Sequence, residues 1–131
     1  MADLTELQSS QTVKIAGANP STGVEDNFAE VGTDGSLSTK QKQAASNAAT
    51  NVAASATNVT LLAANTNRIG ATIYNDSTSI LYVKLGATAS TTSYTLQMGS
   101  KTYYEAPYGY TGQIDGIWSV ANGSARVGEL T

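Results

Sequence analysis

The chain has no cysteine and no histidine among its 131 residues. Disulfides, thiol nucleophiles, Cys/His zinc sites and His-based catalytic triads are therefore excluded. Charge is scarce as well: 13% of residues are charged, against roughly 25% in ordinary soluble domains. The basic residues Lys14, Lys40, Lys42, Arg68, Lys84, Lys101 and Arg126 are scattered, and the formal net charge is −3. With no basic patch, no nucleic-acid partner is expected. No apolar run approaches the length of a membrane span, so no membrane partner is expected either. Met1–Gln8 carry neither a basic n-region nor an apolar h-region. The expectation is a protein made in a cytoplasm, without a signal peptide, and soluble there. Low surface charge means weak self-repulsion, which suits packing among many copies.

What the chain does contain is divided by Gln43–Asn67, a run with no charge, aromatic, glycine or proline, rich in Ala, Asn, Thr, Ser, Val and Leu. The segment before it holds one aromatic residue, Phe28, and the segment after it holds all seven tyrosines and Trp118. Three parts are expected: an attachment arm over residues 1–40, a neck over 41–58 and a β domain over 59–131. In the arm, Val13-Lys14-Ile15 alternates apolar and polar before the turn-rich Gly17–Gly23, Phe28–Val31 resumes a strand pattern, and Asp34-Gly35 supplies a tight-turn dipeptide. Strands so poor in apolar residues are marginal alone. They would pair with another copy or a larger scaffold, or remain a tail that orders on assembly. Val13, Ile15, Phe28 and Val31 are the expected attachment residues.

In the neck, Ala49-Thr50-Asn51-Val52 recurs seven residues later as Ala56-Thr57-Asn58-Val59. Ala45, Ala48, Val52, Ala56 and Val59 would form a small-residue helical stripe, capped by Ser38 or Thr39 and able to gather three chains into a thin bundle. The Asn and Thr residues each cost such a helix about 0.5 kcal/mol relative to Ala, so a flexible linker competes with the bundle.

Beyond Val59 the pattern has period two. Strands are expected at Val59–Ala63, Ala71–Asn75, Ile80–Leu85, Ser93–Met98, Lys101–Ala106, Gln113–Val120 and Ala125–Leu130. Leu81, Val83 and Leu85 should face a core and Tyr82 and Lys84 should face out. Asn122-Gly123 between two such runs predicts a hairpin. The fold class is mainly β: an arm of β-hairpins, a short Ala-rich helical neck, and a C-terminal antiparallel sandwich or small barrel. A β domain this small is expected to draw on subunit contacts to complete its core.

Asn67-Arg68-Ile69-Gly70-Ala71-Thr72-Ile73-Tyr74-Asn75-Asp76-Ser77, followed by Leu81-Tyr82-Val83-Lys84-Leu85-Gly86, resembles a module of tailed-bacteriophage structural proteins. The stretch Tyr103–Trp118 resembles the end of the same module. The arm resembles a second phage pattern, a Val-Lys-Ile/Val-x-Gly strand before a polar turn and an Asp-Gly hairpin. The resemblance implies a virion component such as a head fibre, capsid decoration or neck–tail appendage, partnered by a major capsid or neck–tail protein.

Residues that could carry chemistry are few. Tyr104, Tyr108 and Tyr110 could present a surface to a host glycan, although tyrosines in a small β domain more often pack its core and contacts. Asp76, Glu105 and Asp115 lack the flanking pattern of a glycosidase pair and read as solvated loop carboxylates. Arg68 could tie neck to body through Asp76 or Glu105, but reads better as solvated. Asp34-Gly35-Ser36 lacks the remaining ligands of a calcium loop. The expectation is a non-enzymatic homotrimer with no cofactor and no metal, resident in a virion, with a small glycan-binding adhesin as the alternative.

Overall fold

The computed structural model describes residues 41–131 in full and, within the first forty residues, the backbone of strands 13–17, 27–31 and 37–38. The chain divides into two compact units, Met1–Gln41 and Lys42–Thr131. In the first unit, β1 (Val13–Gly17), β2 (Asn27–Val31) and β3 (Leu37–Ser38) form one antiparallel sheet in the order β1-β2-β3. Val13 pairs with Val31 and Ala16 with Phe28. The Asp34-Gly35 turn, the Thr39 cap and the side chains of the expected attachment residues lie outside the described residues.

The second unit contains eight strands: β4 (Asn47–Ala53), β5 (Val59–Leu62), β6 (Gly70–Asp76), β7 (Leu81–Leu85), β8 (Leu96–Met98), β9 (Tyr103–Glu105), β10 (Ile114–Trp118) and β11 (Ser124–Leu130). They make two antiparallel sheets, ordered β5-β10-β7-β8 and β4-β11-β6-β9. There is no closed barrel and, among the described residues, no helix. The pairing is nested: β4 with β11, β5 with β10, β6 with β9 and β7 with β8. Two further pairings, β11 with β6 and β10 with β7, roll this long hairpin into two layers. That is the pairing scheme of a jelly roll.

The alternation read from the sequence sets the core. Ala71, Ile73 and Asn75 of β6 are buried, while Thr72, Tyr74 and Asp76 face away. Leu81 and Val83 are buried, and Leu85 packs against them partly covered. Leu61, Ile73, Leu81, Val83, Ile114, Trp118 and Val127 come from both sheets and form one cluster. Gly116 sits within it because a Cβ there would meet Leu61 Cδ1 at 2.9 Å and Leu81 Cδ1 at 3.0 Å.

Two local expectations are corrected. The first is the neck, whose residues 47–53 form β4 rather than helix and complete the second sheet along β11. The helical stripe is accordingly dispersed. Ala45 bonds Thr131, Ala48 lies opposite Glu129, Val52 lies opposite Ala125, Ala56 sits in the following loop, and Val59 opens β5 in the other sheet. Helix propensity was weak, while β11 offered an unpaired row of backbone donors and acceptors, and the row decided the outcome. The second correction is Asn122-Gly123. The turn forms, with Gly123 at φ 71°, but it carries the chain from β10 in one sheet to β11 in the other instead of closing a hairpin.

Candidate functional site

Three polar clusters inside the eight-stranded unit hold loops together. Arg68 is buried and pairs its Nε with Glu129 Oε1 at 2.6 Å. Its Nη1 donates to the Gly112 carbonyl at 2.6 Å and its Nη2 to the Ala63 carbonyl. The expectation of a solvated Arg68, or one tied to Asp76 or Glu105, is corrected: its partner is on β11, and its planar fork gathers three chain segments. Asn75, also buried, donates to the Ser79 and Gly99 carbonyls at 2.8 Å each and accepts from Trp118 Nε1 at 3.1 Å.

Asp115 forms the third cluster. It is 1% exposed and accepts from Asn58 Nδ2 at 2.9 Å, the Thr88 amide at 2.7 Å and Gln113 Nε2 at 2.7 Å. Burial pushes its pKa up, but the hydrogen bonds from Gln113, Asn58 and Thr88 outweigh that and hold it below the ordinary carboxylate value. Thr88 adopts φ 61°, in the left-handed region, with its amide held by this carboxylate. Every buried side-chain nitrogen and oxygen among the described residues has a partner. No buried polar side-chain atom of these clusters is left without a partner, which fits a role in holding the loops.

The three acids are not loop carboxylates, as they had been expected to be, and lie in different places. Asp76 ends β6 and is bound by Lys101 and by Arg126, whose Nε and Nη2 each lie 2.8 Å from Oδ2. Hydrogen bonds from Lys101 and then Arg126 hold its pKa below the usual value. Glu105 is on β9, where it accepts from the Tyr103 hydroxyl at 2.7 Å. Asp115 is in the opposite sheet. No group of three or more potential metal-ligating side chains occurs among the described residues, and they contain no helix long and apolar enough to cross a membrane.

The three tyrosines singled out in the sequence do not form one surface. Tyr104 and Tyr110 pack against the core, and burial pushes the Tyr104 phenol upward. Tyr108 is exposed and donates to the Lys42 carbonyl at 2.7 Å. Tyr103, one residue from Tyr104 and therefore on the other side of β9, is exposed instead.

Open polar groups converge on the outward face of the β4-β11-β6-β9 sheet. Register places Asn51, Arg126, Tyr74 and Tyr103 in one row across the strands, and Ala49, Gly128, Thr72 and Glu105 in the next. Gly128 and Ala49 leave a hollow of about 380 Å³ walled by Asn47, Asn51, Thr72, Tyr74 and Arg126. A Cβ on Gly128 would lie 2.7 Å from Thr72 Oγ1 and 3.1 Å from Asn47 Oδ1. A second hollow, of about 270 Å³, adjoins it at Thr72 and runs past Gly70 and Glu105 to Tyr108. Sequence reasoning missed Asn47, Ala49 and Asn51 because they were assigned to a helix. The signal that could have found the floor was Gly128, a lone glycine inside a strand pattern, which marks close approach. No protein-family model, curated protein or solved structure matches the chain.

Proposed function

We propose that the chain is a non-catalytic structural component of a tailed-bacteriophage particle, a head fibre or decoration protein. Its N-terminal β arm would attach it to a capsid or neck–tail protein by strand addition. Its C-terminal jelly-roll sandwich would project or seal contacts between capsid subunits, and its place of residence would be the virion. The sequence resemblance motivates this assignment, and one structural observation supports an assembly role. Of the four sheet edges in the eight-stranded unit, β5, β8 and β9 are four, three and three residues long, whereas β4 has seven. Edge strands are normally guarded by shortness, charge, proline or bulges, and Asn47–Ala53 has none of these. Ala48 and Thr50 share a sheet face with buried Ala125 and Val127 yet remain exposed themselves. A second copy fits that edge. Antiparallel pairing centred on Thr50 sets Ala48 against Val52 of the other copy and brings no like charges together.

The copy number expected from the sequence is three, while an isologous β4–β4 edge would give two. Sedimentation equilibrium of the full chain at tens of micromolar distinguishes them, and a monomer would remove the edge-pairing element. The virion assignment itself is tested by mass spectrometry and imaging of gradient-purified particles from a host producing this chain. Density for the eight-stranded unit on the particle is the expected result, and absence of the chain from purified particles would overturn it.

A further inference from the structure

We infer that the outward face of the β4-β11-β6-β9 sheet is a binding site for an uncharged oligosaccharide, seated over Gly128 and Thr72. This goes beyond the assembly role; of the tyrosines singled out in the sequence, only Tyr108 borders the site, at the far end of the second hollow. Three observations carry it. First, the floor is built from Ala49, Gly128 and Gly70, which opens two adjoining hollows into one trough across the strands. The larger hollow falls within the range of small-ligand sites, about 300–1,000 Å³. Second, the side chains of Asn47, Asn51, Thr72 and Tyr74 make no hydrogen bond to any other described residue, so their groups are open to a ligand. Amides and hydroxyls both donate and accept, which matches the paired hydroxyls of a sugar ring. Tyr74 and the exposed Tyr103 beside it offer ring surface to a sugar's C–H face.

Third, the charge is already balanced. Arg126 and Lys101 are engaged by Asp76, and Glu105 bounds the second hollow. Two cations thus stand with two carboxylates, and the Nε and Nη2 of Arg126, on the wall of the larger hollow, are both held by Asp76. An anionic sugar would find no unspent counter-charge here, whereas a neutral polyol loses nothing by that.

The test is an NMR titration of the ¹⁵N-labelled full chain with chitobiose, cellobiose and maltotriose, and with a uronic-acid disaccharide as the charged comparison. Saturable shifts are expected at residues 47–51, 72–74 and 126–128 with at least one neutral sugar. Ala49→Gln, a change on the solvent face of the edge strand, fills the larger hollow and should weaken binding about tenfold or more. Asn51→Ala and Thr72→Val each remove one hydrogen bond and should weaken it about fivefold. Tyr94→Ala, in the loop before β8 and against Tyr82 of the other sheet, should leave it unchanged. The proposal is overturned by no saturable shift with any neutral sugar, by preference for the uronate, by binding that Ala49→Gln does not reduce, or by shifts at this face produced only by a capsid protein. Presence on the particle and sugar binding are separate readouts, so either can fail alone.

Discussion

Gly109 and Gly123 have nearly the same backbone, φ 72° and 71°, but different surroundings. A Cβ on Gly109 meets nothing within 4 Å, whereas one on Gly123 would lie 2.6 Å from the Asp76 carbonyl oxygen. Gly109→Ala should therefore cost only the left-handed penalty, about 1–2 kcal/mol. Gly123→Ala should cost more than that, because the displaced neighbour is backbone; urea midpoints of the two variants check the ordering. Arg68 gives a second residue-scale prediction. Arg68→Ala strands Glu129 and two backbone carbonyls, and should destabilise by about 3–5 kcal/mol. Arg68→Lys should recover only part of this, since an ammonium cannot reproduce the fork. Thermal unfolding of both variants measures it. Asp115 links stability to pH. Its folded pKa is lowered from 3.8, so its contribution is present above that value and is lost as pH falls through the lower folded value. Stability measured between pH 6 and pH 2 should fall on the acid side, and Asp115→Asn should flatten that fall while lowering stability at neutral pH.

At the scale of elements, β4 is decisive. A chain beginning at Lys42 retains the whole compact second unit, whereas one beginning at Val59 lacks β4, one of the two partners of β11. In that shorter chain Ala125 and Val127, both buried in the complete unit, would flank a bare edge. The 42–131 chain should fold and give dispersed amide resonances, and the 59–131 chain should not. The seven strands after Val59 were legible because alternation is a local signal and each run is bounded by breakers such as Asn75-Asp76-Ser77 and Gly99-Ser100. The eighth was not legible. Asn-Ala-Ala-Thr-Asn-Val-Ala is nearly as compatible with a heptad as with a strand, and no large apolar residue marks a face. Its burial confirms how little the pattern had to report, since only Val52 is even partly covered.

For the whole molecule, nested pairing brings residues from the two ends of the unit together, Asn47 with Leu130 and Ala53 with Ser124. Such closure is entropically late, and folding of the isolated 42–131 chain should fall in the millisecond-to-second range by stopped flow, well slower than a helical protein of this size. The same closure creates the trough, because Asn47, Ala49 and Asn51 meet Thr72 and Tyr74 only across β11. Of the site residues read from the sequence, Tyr108 is exposed, whereas Tyr104 and Tyr110 face the core. Which side of β9 a tyrosine faces depends on the register of β9 against β6, and no local pattern in Lys101–Ala106 contains it.

The sequence by itself determined the all-β character of the body, the positions of seven strands, the inward face of β7, and the exclusion of cysteine and histidine chemistry. These follow from composition and from period-two alternation, which each strand carries alone. Only the tertiary structure decided that residues 47–53 pair with β11, that Asn122-Gly123 spans two sheets, that Arg68 is buried against Glu129, and that Gly128 floors an open polar trough. Each of these depends on groups brought together from distant parts of the chain. Their free energies arise from a vacant row of backbone hydrogen bonds, a desolvated ion pair and a gap between side chains, all of which exist only once the sheets have formed.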